Sequence, residues 1–133
     1  MKLVSIVILN WNGKDFLSKF LPPLIKNTTA DDVELYVADN GSTDDSVSFI
    51  SNNFSTVKTI CLDQNYGFAE GYNQALKQIE ARYFVLLNSD VEVAPGWLKP
   101  MVDLMDSDES IAGCQPKVKA HDQKTHFEYA GAA

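Results

Sequence analysis

The chain has 133 residues, which is the length of one compact domain. Hydrophobic residues make up 45% of it and charged residues 22%, a composition that excludes disordered, collagen-like and low-complexity proteins. With 18 acidic residues against 11 basic ones, its net charge is −7. Nucleic-acid binders need a basic surface that neutralises phosphates, so we expect no nucleic-acid partner.

Short apolar runs alternate with helical periodicity along the chain, which indicates βα units around a parallel sheet. Strands are predicted over residues 3–9, 33–38, 57–62 and 83–87, with a fifth around residues 110–114. The first strand is almost entirely apolar, as expected for a strand buried on both faces. We therefore predict a single domain over residues 1–133, of the Rossmann-like α/β class, with a mostly parallel sheet and helices on both faces.

The first two helices are predicted from apolar spacing and capping residues. Apolar residues at helical spacing predict a helix over residues 16–25, and Pro22-Pro23 is expected to break or offset it, because proline lacks an N–H and clashes one turn back. A second helix is predicted over residues 44–52, with Ser42 or Thr43 as its N-cap.

The later helices follow the same spacing. A third helix is predicted over residues 67–80, with one buried stripe. That stripe comprises Phe68, Tyr72, Ala75, Leu76 and Ile79. Pro95 is expected to open a fourth helix, which contains Pro100. The chain ends in small and aromatic residues, typical of a chain that stops inside an element, so we interpret it as part of a longer protein.

The cysteines and the N-terminal run indicate the compartment. Cys61 and Cys114 lie in apolar runs without CxxC spacing, which favours buried, inert thiols over a disulfide or metal site. The run over residues 3–9 is too short for a transmembrane helix or a signal peptide. We therefore expect a cytoplasmic protein, with peripheral docking on the inner face of a membrane left open.

Polar segments follow each of the first four predicted strands, where open parallel sheets bind their ligands. They cover residues 10–13, 39–44, 63–67 and 88–92. Three of them carry carboxylates, which repel a bare phosphate. The sequence has no GxGxxG after the first strand and no GxxxxGK[ST], so an ordinary dinucleotide fold is unsupported and a P-loop is excluded.

An acidic crevice holds a diphosphate when a hard divalent cation, Mg²⁺ or Mn²⁺, lies between them. Asp90, directly after a buried strand, is the best-placed ligand, and Asn88 and Glu92 are its near neighbours.

Four motifs carry a resemblance to a known family. Asp39-Asn-Gly-Ser-Thr-Asp-Asp-Ser46, followed later by Leu87-Asn-Ser-Asp90, resembles the family 2 glycosyltransferases of GT-A fold, as does the opening Val4-Ser-Ile-Val-Ile-Leu-Asn-Trp-Asn12. The segment Asn65-Tyr-Gly-Phe-Ala-Glu-Gly-Tyr-Asn-Gln-Ala75 is similar to the rhamnosyltransferase-like branch. The resemblance covers essentially the whole chain and implies the N-terminal, nucleotide-binding part of such an enzyme.

The resemblance implies roles for two carboxylates. Asp39 would hold the base or ribose of the donor nucleotide, although an Asp-Asn-Gly turn-former is the alternative. Asp90 would be the metal-binding end of the family's DxD-type motif, written here with Asn88 and Ser89. The asparagine at position 88 leaves one charge fewer for the metal.

The remaining implied donor contacts are uncharged. Asn10, Trp11 and Asn12 would line the nucleotide pocket with their backbone, with Trp11 near the base unless it is a core aromatic. Asn65 and Gly67 would let the chain pass close to the donor, because glycine adopts positive φ without penalty. Asn73, on the shoulder of the third helix, faces either the donor or solvent.

The family transfers a sugar from a nucleoside diphosphate to an acceptor hydroxyl, with inversion at the anomeric carbon. The resemblance therefore implies a UDP- or dTDP-linked donor, a glycan or lipid-linked acceptor and a role in polysaccharide biosynthesis. The family's catalytic base lies further along the chain, so we name no catalytic residue and expect little or no transferase activity from this chain alone. Pairing of an uncovered sheet edge leaves a homo-oligomer open.

Two other classes remain as alternatives. A receiver-type Mg²⁺-binding signalling domain has a similar length and sheet, but it needs an acidic pair after the first strand, where this chain has Asn10-Trp11-Asn12. A non-catalytic interaction domain predicts no nucleotide binding. His121 and His126 are interpreted as surface or loop residues.

Overall fold

The computed structural model of the protein describes residues 2–28, 30–119 and 127–129. The elements in chain order are β1 (Lys2–Asn10), α1 (Lys14–Lys26), β2 (Val33–Asp39), α2 (Ser46–Asn53), β3 (Val57–Cys61), α3 (Phe68–Leu76), β4 (Ala81–Leu87), α4 (Leu98–Ser107), β5 (Val118–Lys119) and β6 (Phe127–Tyr129). Among the helices of these residues, none is long and apolar enough to cross a membrane. His121 and His126 lie outside the described residues.

The main sheet has the strand order β3-β2-β1-β4, and all its pairs are parallel. The chain adds β2 and β3 on one side of β1 and then returns to the other side with β4. Strand order therefore reverses at β1, and the carboxyl ends of β1 and β4 form the point at which open α/β sheets bind ligands. The first four predicted strands are confirmed.

The predicted fifth strand around residues 110–114 is wrong, because residues 111–117 have no regular structure. This segment contains Gly113 and only partly buries Ile111 and Cys114, so it has little apolar surface with which to enter the sheet. The strands β5 and β6 instead form a separate antiparallel pair.

The helices cover both faces of the sheet, as predicted. Leucines of α1 and Ile50 of α2 pack with Ile8 and Val37 on one face. On the other face, Tyr72 and Ala75 of α3 pack with Val7 and Ala38. The alternate residues of β1 thus feed two separate apolar clusters, which explains why this strand is apolar along nearly its whole length.

Helix α1 continues through Pro22 and Pro23, so the predicted break is wrong. The missing N–H groups would have bonded carbonyls one turn earlier, at positions 18 and 19, on an exposed side of the helix where water can solvate them. The opposite side buries Leu17, Leu21 and Leu24. That burial, about 1.5–3 kcal/mol for each side chain, offsets two lost hydrogen bonds worth about 1 kcal/mol each.

Helix α2 begins at Ser46, and neither Ser42 nor Thr43 caps it, contrary to the prediction. Its first turn is bonded instead by Asp44, whose Oδ1 accepts the N–H of Ser46 at 3.0 Å. The hydroxyls of Ser42 and Thr43 are bonded to Asn12 of the preceding loop. Two residues that look like caps in the sequence therefore join two loops.

Helix α3 ends at Leu76, earlier than predicted, and Phe68 is 66% exposed although it was expected in the buried stripe. Tyr72, Ala75 and Ile79 are buried as predicted. The first turn of α3 reaches beyond the carboxyl edge of the sheet, so Phe68 faces open space there.

Helix α4 begins at Leu98 with Trp97 at its N-cap, so Pro95 lies before the helix and not in its first turn as predicted. Pro100 is the third helical residue, where an N–H has no intrahelical partner and its absence costs no hydrogen bond. The Trp97 Nε1–H donates to Thr28 Oγ1 at 2.9 Å, which ties the start of α4 to the end of α1.

The prediction of buried cysteines is wrong for Cys61, which is exposed, and Cys114 is half-buried. Cys61 ends β3, which is an outer strand of the sheet. Its neighbours on one side are therefore solvent and loop, and the apolar run around it does not bury the thiol.

An ion pair joins β2 to β3 at this outer side of the sheet. Lys58 Nζ lies 2.9 Å from Glu34 Oε1, and this hydrogen bond, with a second from Tyr36, lowers the pKa of Glu34. A carboxyl whose folded pKa is lowered stabilises the protein above its unfolded pKa, and this contribution is lost as the pH falls through the folded pKa.

We therefore expect Glu34→Gln to be less stable than the natural chain at neutral pH, and the difference to shrink at about pH 3. Urea unfolding of both proteins at the two pH values measures it. A difference that stays constant with pH would contradict this role of Glu34.

Candidate functional site

A cavity of about 440 Å³ opens at the carboxyl edge of the sheet, where strand order reverses. Segments that follow all four parallel strands contribute to its wall. The lining residues are Leu9, Trp11, Phe16, Asn40, Asn65, Gly67, Phe68, Asn88, Ser89 and Asp90. Of the ten residues predicted to bind donor or metal, Trp11, Asn65, Gly67, Asn88, Ser89 and Asp90 meet here.

Asp39 lies beneath the β2–α2 loop and is not among the lining residues. It is 5% exposed, and its two carboxylate oxygens accept hydrogen bonds from Asn10 Nδ2 at 3.0 Å and from the Ser42 N–H at 3.0 Å. Asn10 is also buried, and its Oδ1 accepts the Gly13 N–H at 3.1 Å. This network joins the loops after β1 and β2, and a direct contact of Asp39 with a ligand stays a prediction.

Asn12 adopts a positive φ of 50° and uses its side chain within the protein. Its Oδ1 accepts the N–H groups of Thr43 at 2.7 Å and of Asp44 at 3.1 Å, and its own N–H donates to Ser42 Oγ at 2.9 Å. The neighbouring Trp11 is 56% exposed, so it is not a core aromatic. Asn12 thereby holds the loop that presents Trp11 to the cavity.

Asn40 lines the cavity and was missed in the sequence analysis. Its Nδ2 donates to Asn65 Oδ1 at 3.2 Å and to the Gly67 carbonyl at 3.0 Å, and its Oδ1 accepts the Tyr66 N–H at 2.9 Å. Gly67 has the positive φ of 81° expected of glycine at this turn. The signal that could have identified Asn40 is its place after Asp39, at the end of a buried strand.

The third wall follows β4 and comprises Asn88, Ser89 and Asp90. Asp90 is exposed and is the charged member of the lining. Among the described residues, no cluster of three or more His, Cys, Asp or Glu side chains is arranged for a metal. The donor set is therefore one carboxylate with neutral oxygens, which fits a hard cation that shares its coordination with phosphates and water.

Three large aromatic side chains rim the cavity and are unusually exposed. Trp11 is 56%, Phe16 51% and Phe68 66% exposed. A concave site lined by aromatics and a few polar groups is typical of small-molecule binding, and aromatic faces can stack on a planar ring. The sequence analysis assigned Phe16 and Phe68 to apolar stripes, because helical periodicity does not show which end of a helix projects beyond the sheet.

Two predicted or neighbouring positions lie away from the cavity. Asn73 is exposed and is not among the lining residues, so solvent is the better of its two predicted surroundings. Glu92 is also exposed and outside the lining.

A doubly covered parallel sheet with a polar cavity at its switch point defines an α/β protein of the nucleotide-binding class. The chain belongs to glycosyl transferase family 2, whose sequence model matches residues 5–130. This membership excludes the receiver-type alternative.

Two relatives illustrate the similarity. A teichoic acid poly(glycerol phosphate) polymerase of Staphylococcus epidermidis is 31% identical over 98 residues, which is 71% of this chain and 14% of the relative. An undecaprenyl-phosphate 4-deoxy-4-formamido-L-arabinose transferase of an Enterobacter species is 28% identical over 134 residues, which is 93% of this chain and 39% of the relative. The chain thus spans less than half the length of either protein.

Solved structures show the same GT-A fold. S. aureus TarS, in a form of residues 1–349 in complex with UDP, has a TM-score of 0.70 at 22% identity, covering 90% of this chain and 40% of that one. A mannosyltransferase of Pyrobaculum calidifontis, in complex with GDP-Man and Mn²⁺, has a TM-score of 0.70 at 19% identity, covering 86% of this chain and 33% of that one.

Proposed function

We propose that the cavity binds a nucleoside-diphosphate sugar together with a divalent cation, and that the protein transfers the sugar to an acceptor with inversion. The observation that carries this proposal is the meeting of the family's motif residues, from all four strand ends, around one cavity at the switch point. The solved relatives that bind UDP or GDP-Man with Mn²⁺ support the ligand class.

The walls of the cavity suggest how the donor lies. Trp11 and Phe68 offer exposed aromatic surface for the base. Asp90, with Asn88 and Ser89 beside it, would hold Mg²⁺ or Mn²⁺ against the diphosphate. Asp39 and Asn10 sit beneath and keep the loops in place. When bound, the cation offsets the negative charge that develops on the leaving diphosphate.

The acceptor side rests on less of this chain. Inversion by direct displacement needs a base that removes the acceptor's proton, and we assign no residue of this chain to that role. We propose a glycan or lipid-linked acceptor in polysaccharide biosynthesis. The undecaprenyl phosphate in the name of the Enterobacter relative supports the lipid-linked form. A cytoplasmic location, at the inner face of a membrane, suits such an acceptor.

Calorimetric titration of this chain with UDP, dTDP and GDP, with and without Mn²⁺, tests the donor site. We expect one nucleotide to bind with metal dependence. Asp90→Asn should weaken the Mn²⁺-dependent binding by on the order of 10–100-fold, because it removes the carboxylate from the proposed metal site.

Asp103→Asn is the matched control. Asp103 lies on α4, pairs with Lys99 at 2.6 Å and is outside the cavity, so this variant should bind as the natural chain does. No nucleotide binding by a chain that is folded by circular dichroism would favour the non-catalytic interaction domain. Equal losses in both variants would remove Asp90 from the metal site.

A further inference from the structure

Two walls of the cavity separate at the carboxyl ends of β1 and β4. The register between these strands ends with the pair Ile8 and Leu87. Beyond it, β1 leads through Leu9 to Trp11, whereas β4 leads directly to Asn88. The spacing between the two walls is therefore decided where the paired strands end.

The hydroxyl of Tyr72 lies at this point. It accepts a hydrogen bond from the Leu9 N–H at 3.4 Å and donates one to the Leu87 carbonyl at 3.0 Å. Tyr72 is 3% exposed, and this burial raises the pKa of its hydroxyl above the ordinary value. The hydroxyl therefore stays protonated and remains a donor throughout the neutral range.

The packing of α3 holds Tyr72 in this position. A Cβ on Gly71 would lie 3.0 Å from both methyl carbons of Leu9 and 3.0 Å from Asn40 Nδ2, so a glycine there lets the helix approach the strand ends closely. The Tyr72 ring also meets the ring of Phe68 edge-on, with centroids 5.2 Å apart. Tyr72 thus contacts the starting points of three walls: β1, β4 and α3.

We propose that Tyr72 is a positioning residue for the donor site, whose hydroxyl sets the spacing between the Trp11 wall and the Asn88–Asp90 wall. The proposal rests on the proposed function, because it concerns how base and diphosphate are held at the same time. The peptide group between Leu87 and Asn88 is planar, so the hydrogen bond to the Leu87 carbonyl orients the chain as it enters the segment with Asp90. The buried hydroxyl would thereby couple cation binding to nucleotide binding without touching either ligand.

Tyr72→Phe keeps the ring and removes the hydroxyl, and Tyr36→Phe is its matched control. Tyr36 is also a partly buried tyrosine of this sheet, and its hydroxyl donates to Glu34 Oε2 at 2.8 Å, away from the cavity. We expect similar falls in melting temperature for the two variants. Only Tyr72→Phe should reduce the ratio of nucleotide affinity with Mn²⁺ to that without it, by about tenfold, as for residues one shell away from a metal ligand.

Amide hydrogen exchange of the unliganded chain gives a second readout that needs no nucleotide. The Leu9 amide should exchange faster in Tyr72→Phe than in Tyr36→Phe. Gly71→Ala, which pushes α3 away from Leu9, should change the Leu9 exchange and the Mn²⁺ ratio in the same direction, and it serves if Tyr72→Phe does not fold.

The outcomes separate this inference from the proposed function. Faster Leu9 exchange together with a smaller Mn²⁺ ratio would support the positioning role. An unchanged ratio in Tyr72→Phe, in a chain whose natural form binds with Mn²⁺ dependence, would overturn the inference and leave the donor site intact. A natural chain that binds no nucleotide would overturn the proposed function and this role with it.

Discussion

Replacing Gly41 by alanine should lower the free energy of unfolding by about 3 kcal/mol. Gly41 has a φ of 78°, and a Cβ at this position would lie 2.9 Å from the Asn65 nitrogen and 2.9 Å from the Gln64 carbonyl carbon. The left-handed conformation costs a non-glycine residue about 1–2 kcal/mol. The contact is with backbone, which cannot rotate away, so the loop after β2 must also move from the loop after β3.

Gly96→Ala is the control for the conformational part of this loss. Gly96 has a φ of 71°, and a Cβ there would meet no atom within 4 Å. Urea unfolding should therefore show a loss of about 1 kcal/mol for Gly96→Ala. Equal losses in both variants would mean that the approach of the two loops is soft. In that case the walls formed by Asn40 and Asn65 would not depend on it.

Asn10→Asp should destabilise the protein by about 3 kcal/mol at neutral pH, because it removes a donor and places a second carboxylate against a buried one. In the natural chain, Asn10 Nδ2 donates to Asp39 Oδ1 at 3.0 Å, and the two residues are 1% and 5% exposed. Like charges at this distance raise the folded-state pKa of the pair. The protonated pair is then stabilising below the unfolded pKa, and this contribution is lost as the pH rises.

The deficit of Asn10→Asp should consequently shrink between neutral pH and about pH 4, when one carboxyl of the pair carries a proton. Asn73→Asp makes the same charge change at an exposed position on α3 and should have little effect at either pH. Chemical unfolding of both variants at the two pH values measures this. A deficit that is independent of pH would show that residue 10 and Asp39 do not share a buried contact.

The sheet could be predicted well, because a strand buried on both faces has to be apolar along its length. Residues 3–9 show this pattern, and β1 lies between β2 and β4. The predicted edge near residues 110–114 failed, because a short run containing Gly113 reads alike as an edge strand or a loop. Pro22 and Pro23 misled in the other direction, since their exposed position on α1 is a property of packing and not of composition.

The polar lining of the cavity was largely predictable, because the carboxyl ends of parallel strands meet at one edge. Trp11, Gly67 and Asp90 follow three different strands and lie around one cavity. Asn40 and Phe68 were missed for different reasons. Asn40 was overlooked beside a charged neighbour, and Phe68 fits an apolar stripe that ends beyond the sheet.

The sequence by itself determined the fold class, the family resemblance and the set of segments that surround the cavity. These follow from periodicity of 2 and 3.6 residues and from motifs, which are local properties of the chain. Only the tertiary structure decided which polar groups face the cavity and which are used inside the protein. Asp39 is bonded beneath the loops and the Tyr72 hydroxyl spans two strand ends. A buried polar group must find its partners across the fold, and those partners, at separations of 29 residues for Asn10 with Asp39 and 63 for Leu9 with Tyr72, have no signature in the local sequence.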